Sequence, residues 1–378
     1  MFTLAYTSFV FWITNPATPA DSAHMARLVS QLQRADSTVC ELAGRSLTNF
    51  GGWGRDDDNP PMPMPMPTPM PMPLSNGDVS VEIHGIAETG DDDRYDGPTL
   101  SLLKATVRDD NRCVRRVAAR LMADARAEGA YDLFLDLLRD RAVSFRETGA
   151  QALGWLEDKR AVRPLAAALD DNAVIVRRAA AHALGDIEDR SAVGPLSHAL
   201  KDPVALVRRA AAWALGEIED GGAVQALGGV LDDPSPEVRR VAIWALAEIE
   251  DERAVQVLAP LVRDPSPDVR KTAIWALGQV ENAAGIGAVA TALQDSDADI
   301  RALACWALGQ IQDERGVSPL VAVLKDPVTD VRVAAAWALG EIGSPKAAAA
   351  LRAARTDSAR AVRHTVEWAL RQLDQDES

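Results

Sequence analysis

The sequence is poor in the residues that catalysis, disulfide scaffolds and nucleic-acid binding require. Its 378 residues include three cysteines, five histidines and 5% aromatics. Cys40, Cys113 and Cys305 are too few and too scattered for a disulfide framework, and no pair has the close spacing of a zinc knuckle. His24, His84, His182, His198 and His364 fall in dissimilar contexts, and neither a Gly-rich phosphate loop nor a nucleophile elbow appears. No catalytic residue and no cofactor is therefore nominated. Basic charge is also short: the formal charge is -15 and the pI about 4.8, against the concentrated basic surface that phosphate backbones demand. The expected partner is a protein or peptide, not DNA or RNA.

Long apolar runs are missing as well. The run from Phe2 to Ile13 is too short to span a bilayer, but it has the length of a signal-peptide core. Residues 1–20 carry no charge, so the Lys or Arg expected before such a core is absent, while Thr18-Pro19-Ala20 places small residues where a signal peptidase reads. An exported, periplasmic protein and a cytoplasmic one both stay open, with residues 1–20 as a leader, a clipped membrane helix or a buried helix.

What is present is repetition. Arg115, Arg146, Arg177, Arg208, Arg239, Arg270, Arg301, Arg332 and Arg363 recur every 31 residues, each with an Asp six residues before it, from Asp109 to Asp357. An apolar residue precedes every Arg, and Leu follows seven residues later in all units but the one holding Met122. Nine units follow one another without insertion or deletion, so the array occupies residues 98–373, with 374–378 as a tail. Each unit contains two helices. In the stretch Asp251–Val280, DERAVQVLAPLVRD reads as the first, PSP as the turn and DVRKTAIWALGQV as the second. Ser266 is a natural N-cap and Pro267 suits the first helical position. Val269, Ala273, Ala276, Leu277 and Val280 fall on one face, which predicts a core lined by closely approaching helices. The fold class is therefore all-α, an α-solenoid of about nine 31-residue helix-turn-helix repeats. Packing of neighbouring helices at 8 to 10 Å extends such an array to roughly 80 to 90 Å and predicts a monomer with a long surface suited to a peptide or partner protein.

The phrase VRRAAAWALGEIED at Val207–Asp220, with its upstream Asp and an AVxxL first helix, resembles the HEAT-like repeats of the phycobilisome-lyase type, over residues 98–373. The resemblance implies that the second helices line the concave surface. It also implies that the register residues are structural: the guanidinium at the start of each second helix meets an inter-helix Asp, in part from the next unit. A ladder through Asp202, Arg208, Asp233, Arg239, Asp264 and Arg270 follows. For function the resemblance is broad, since such repeats serve scaffolds, bilin lyases and metal-dependent hydroxylases. The di-iron hydroxylases use His-Glu pairs, and no His-Glu dipeptide occurs here. A bilin-lyase-like chromophore attachment factor stays open as an alternative.

Three lanes run along the second helices opposite their apolar face, one, five and nine residues after the register Arg. The first is largely basic, with Arg209, Arg240 and Lys271. The second holds tryptophan in six consecutive repeats, Trp213, Trp244, Trp275, Trp306, Trp337 and Trp368. The third is acidic or amide, with Glu217 and Glu248 among its members. Tryptophan leads among interface hot spots, so these eleven residues form the expected partner-binding groove. Arg209 and Arg240, one turn before Trp213 and Trp244, are placed to stack on those rings. The alternative is that each indole leans on a neighbouring repeat and spaces the units, and a ring can do both by packing one face and offering an edge.

The N-terminal third reads differently. Residues 21–48 form a degenerate capping repeat, and residues 49–97 an insertion that no helical pattern fits. Its segment Pro60–Pro73, PPMPMPMPTPMPMP, has proline at alternate positions, which enforces polyproline II and forbids helix. Met62, Met64, Met66, Met70 and Met72 bear thioethers, which select Cu(I), so an exported copper-binding protein is a further alternative; alternation turns successive sulfurs to different faces, which opposes it. Thirteen acidic and five basic residues precede Pro98, so more than half of the net charge lies outside the repeats.

Overall fold

The computed structural model describes residues 97–376, with side chains to Leu373; before Gly97 it describes only Ala26 and Ser30, both helical. The expectations for the leader, the capping repeat, the Met-Pro segment with Met62, Met64, Met66, Met70 and Met72, and the tail side chains lie outside the described residues. The described residues form two compact units, 97–214 and 215–376.

In the first unit the helices pair as Gly97–Thr106 with Arg112–Asp124, Ala130–Leu138 with Val143–Leu156, and Val162–Ala168 with Val174–Ile187. Val193–Ala199 follows, paired with Ala205–Ile218, the helix in which one unit ends and the next begins. In the second unit Val224–Gly228 pairs with Pro236–Glu248, Ala254–Leu258 with Pro267–Gln279, Ile286–Ala292 with Ala298–Ile311, Val317–Val323 with Thr329–Ile342, and Ala348–Ala354 with Arg360–Asp376. Within each unit successive second helices pack on one another, and first helices pack on their own second helices. The fold is an all-α solenoid of nine helix pairs among the described residues.

Side chains small enough for backbone approach make this packing work. Val269, Ala273, Ala276 and Leu277 are fully buried, as the face predicted from spacing requires, and Val280 at the helix end is half-buried. Each buried Leu of this kind contributes about 2 kcal/mol. The tightest crossing is at Gly149, where a Cβ would lie 2.4 Å from the Leu138 nitrogen and 2.8 Å from the Phe134 carbonyl oxygen.

Turns between repeats share one chemistry. After the second helix a residue takes the left-handed conformation: Glu157, Glu188, Glu219, Glu250, Glu281 and Gln312 have φ of 49 to 54°, and only the eighth repeat places Gly343 there. A non-glycine residue in this region costs about 1 kcal/mol. Next, Asp158, Asp189, Asp220, Asn282 or Asp313 caps a short 3-10 turn, its side chain accepting the backbone N–H two residues on.

Two local expectations need correction. Ser266 is the N-cap and Pro267 opens the helix, but the Ser266 hydroxyl makes no capping bond. The Asp264 carboxylate, two residues earlier, accepts the Ser266 N–H at 2.8 Å and takes over the task. The first helix predicted over Asp251–Asp264 is α-helical only at Ala254–Leu258 and continues as 3-10 over Ala259–Arg263, because Pro260 has no N–H to extend the ladder. Cys113 is disulfide-bonded, which the scattered cysteine positions did not announce, whereas Cys305 is free and buried.

Candidate binding face of the second helices

The register arginine is held from two sides. Arg239 donates from Nη1 to the carbonyl of Asp233 in its own repeat at 2.7 Å, and from Nε and Nη2 to the two carboxylate oxygens of Asp264 in the next at 2.9 and 2.8 Å. The same two-pronged contact joins Arg146 to Asp171, Arg177 to Asp202, Arg270 to Asp295, Arg301 to Asp326 and Arg332 to Asp357. Arg208 donates to the Asp202 carbonyl at 2.8 Å. Each carboxylate also accepts a loop N–H two residues on, as Asp202 does from Val204 and Asp233 from Ser235. The hydrogen bond from Arg301, opposed by burial, holds the Asp326 carboxyl below its ordinary range. Bidentate pairing of this kind fixes both distance and rotation between repeats.

The first rung is built differently. Arg115, 1% exposed, turns to the Thr148 hydroxyl at 3.0 Å and the Ser144 carbonyl at 3.2 Å, with its guanidinium 4.3 Å from the Phe145 ring centre. Burial pulls its pKa down. Beside it, Arg112 pairs with the buried Glu147. At the other end Arg363 contacts only the carbonyls of Asp357 and Ser358, since no following repeat supplies an Asp.

The tryptophan lane has a matching seat. A Cβ on Gly185 would lie 2.9 Å from Cζ3 of Trp213, and one on Gly216 2.7 Å from Trp244. The same holds for Gly278 and Trp306 at 2.8 Å, Gly309 and Trp337 at 2.9 Å, and Gly340 and Trp368 at 2.5 Å. Every one of these indoles therefore rests on the bare backbone of the preceding repeat, at a sequence separation of 28. The glycines near the ends of the second helices, whose helix-weakening presence the sequence left without a role, are there to admit the ring. Ala247 occupies the corresponding place before Trp275.

Seating does not make the six rings equivalent. Trp213, Trp244 and Trp275 are 4%, 6% and 8% exposed, while Trp306, Trp337 and Trp368 are half-buried. The difference follows the residue one turn earlier. Arg209, Arg240 and Lys271 precede the buried rings; Ala302, Val333 and His364 precede the open ones. Long stems cover apolar surface beside them, and short side chains cannot. Arg240 makes no cation-π contact with Trp244 among the described residues, so the cover is lateral and not the stacking expected from its spacing. Lys271 is anchored instead by Asp297 at 3.2 Å and Asp299 at 3.4 Å. His182 takes the lane position before Trp213, with the two ring centres 4.9 Å apart.

The third lane brings carboxylates beside the rings. Burial, reinforced by Glu219, pushes the Glu248 carboxyl up, and the nearby Trp244 N–H offsets part of this. Burial likewise raises Glu341, opposed by Trp337. The Nε1 atoms of Trp244 and Trp337 are buried without a partner at full hydrogen-bond geometry, so these carboxyls influence the N–H groups without closing a bond. Because its nitrogen is buried, the part of the Trp337 indole that meets solvent is carbon. Glu217 is half-buried in the same lane.

Among the described residues no group of three or more His, Cys, Asp or Glu side chains could hold a metal, and no helix is long and apolar enough to cross a membrane. A stack of helix pairs, cross-linked by an Arg-Asp ladder and spaced by seated indoles, defines a helical-repeat solenoid.

Family comparison makes that class specific. The model for HEAT repeats matches residues 99–183, 162–237, 224–290 and 286–371, so the chain belongs to the HEAT repeat family. Among solved structures it is similar to importin beta, at 16% identity over 75% of this chain and 46% of that one, with a TM-score of 0.57. It is also similar to the complex of CpcE and CpcF of phycocyanin lyase from Nostoc sp. PCC7120, at 23% identity over 64% and 94% of the chains, TM-score 0.38. Human deoxyhypusine hydroxylase matches at 27% identity over 68% and 99%, TM-score 0.31. The importin likeness is one of fold, and the chain spans under half of that protein's length. No curated protein matches the chain.

Proposed function

We propose that the chain is a non-catalytic scaffold that binds a partner protein or peptide on the tryptophan face of its second helices. The observation that carries this reading is the row of three half-exposed indoles, Trp306, Trp337 and Trp368, on successive repeats beside Ala302 and Val333. Neighbouring aromatic edges in an apolar setting are the material of interface hot spots. Trp213, Trp244, Trp275, Arg209, Arg240, Lys271, Glu217 and Glu248, also expected at the groove, act in this reading as its spacing and its polar margin.

The test compares two triple variants for capture of partners from native extracts, with thermal melts run in parallel. Trp306, Trp337 and Trp368 exchanged for Ala should abolish capture while the remaining repeats stay folded. Trp213, Trp244 and Trp275 exchanged for Ala should lower the melting temperature more and capture less. Undiminished capture by the first variant would discard the face.

A further inference from the structure

The open part of the tryptophan face and the unabsorbed Met-Pro segment share a period. Polyproline II advances about 3.1 Å per residue with three residues per turn, hence about 9.3 Å per turn. Packed neighbouring helices stand about 8 to 10 Å apart. One turn of the segment therefore matches one repeat, and side chains three apart meet successive indoles. In Pro60–Pro73 the face Met64, Pro67, Met70 presents thioether, ring and thioether in turn. Both kinds of group suit the carbon edge that Trp337 exposes: a sulfur beside an aromatic ring gains about 0.3–1.5 kcal/mol, and proline brings apolar surface already fixed in its bound conformation.

Charge agrees with period. Pro60–Pro73 has no ionisable residue, and the first lane beside the open rings carries Ala302 and Val333 where the shielded repeats carry Arg or Lys. Docking there desolvates no Arg or Lys of that lane in repeats seven and eight, whereas the shielded repeats would have to bury Arg209, Arg240 or Lys271. The supply of the segment is constrained by its tether. Residues 74–96 join it to the first repeat, and 23 flexible residues have an r.m.s. span of about 26 Å. A second molecule brings the same segment without that limit.

We infer that the half-exposed Trp306, Trp337 and Trp368 face is a polyproline II docking site, and that its occupant is the Pro60–Pro73 segment of a second copy of this chain. The inference rests on the binding face proposed above and replaces the monomer expected from the sequence with head-to-tail association. Because a head-to-tail contact leaves one free segment and one free face at its ends, assembly should grow with concentration and not stop at a dimer.

Sedimentation of the full chain tests it. The unaltered protein should associate reversibly, and a chain with Pro60–Pro73 replaced by a Gly/Ser stretch of equal length should need at least tenfold higher concentration. Val333→Arg, which shields Trp337, should have the same effect without disturbing the fold. Mixed together, the segment-replaced chain and the Val333→Arg chain should form a heterodimer, since one supplies the face and the other the segment. A chain that stays monomeric at all concentrations overturns the inference. So does monomeric behaviour combined with greater acrylamide quenching after segment replacement, because that places the segment on its own chain. If segment replacement changes nothing while the Trp306, Trp337 and Trp368 variant still loses its partners, the second-copy occupant falls and the binding face stands. Should both changes leave association and capture untouched, both readings fall.

Discussion

Repeats four to six and repeats seven to nine carry the same tryptophan at the same lane position, yet only the second set offers it to solvent. Trp244 and Trp337 both rest on a glycine of the preceding repeat, at 2.7 and 2.9 Å from its virtual Cβ. They differ in what stands one turn earlier, Arg240 for the first and Val333 for the second. A residue that is structural in every repeat therefore becomes available for binding in some of them through a change in its neighbour. The indole spaces the units everywhere; the cation decides whether its edge is also a surface.

If that division is right, features common to both sets must respond alike. The ladder is the strongest. Arg239→Ala and Arg301→Ala should each destabilise by about 3 kcal/mol in urea unfolding, because each strands a largely buried Asp, Asp264 or Asp326. Arg363→Ala should cost under about 1 kcal/mol, since that side chain reaches only backbone carbonyls. A large gap between Arg239 and Arg301 would break the claim that the scaffold is uniform beneath the lane.

The glycine seats should separate the sets. Gly216→Val drives a Cβ and a branched side chain into Trp244 and the Ala245 backbone, with Arg240 closing the way out, and should cost about 3 kcal/mol. Gly309→Val pushes Trp337, which has solvent to yield into, and should cost nearer 1 to 2 kcal/mol with a red-shifted emission. Alanine at these seats should be much milder, as Ala247 before Trp275 already shows that the packing admits one methyl.

Much of this scaffold was readable from the chain. The 31-residue interval placed Arg and Asp, and helical spacing placed Val269 and Ala273 in the core, because a strictly local unit repeated without insertion leaves little freedom in packing. The seat was readable in principle too: glycine and tryptophan recur 28 residues apart, from Gly185 and Trp213 to Gly340 and Trp368. What resisted was anything set by a neighbour in space. The exposure of Trp337 depends on how far residue 333 reaches across the helix, the capping of Pro267–Gln279 on a carboxylate two residues upstream, and the left-handed Glu281 on a turn that overrides the residue's helical preference.

The carboxyls of the third lane give a smaller effect with a definite sign. Burial raises the folded-state pKa of Glu248, so the folded form favours the protonated acid. Its contribution to stability is fully present below the ordinary glutamate value, about 4.3, and is lost as pH rises through the raised value. Glu248→Gln should therefore raise the melting temperature at pH 7 and leave it unchanged near pH 4, by less than about 1 kcal/mol, since the group is partly solvated. A gain that persists at pH 4 would mean that the amide is preferred for packing and not for charge.

The smallest change in stability tests the comparison most directly. Arg240→Ala removes the cover from Trp244, and Val333→Arg adds one to Trp337. Both positions are half-buried, on the face away from the core, so unfolding free energies should move by no more than about 0.5 kcal/mol. Quenching by acrylamide, read with the other lane tryptophans exchanged for Phe, should rise for Trp244 and fall for Trp337. Partner capture should follow the second change, because a guanidinium over repeat eight must be desolvated before an apolar segment can lie across the rings. If quenching shifts as stated and capture does not, the lane's exposure is governed by the first-lane residue but the partner is held elsewhere. If quenching does not shift, the covering residue is incidental, and the difference between the two sets of repeats must come from the backbone path of the helices that carry them.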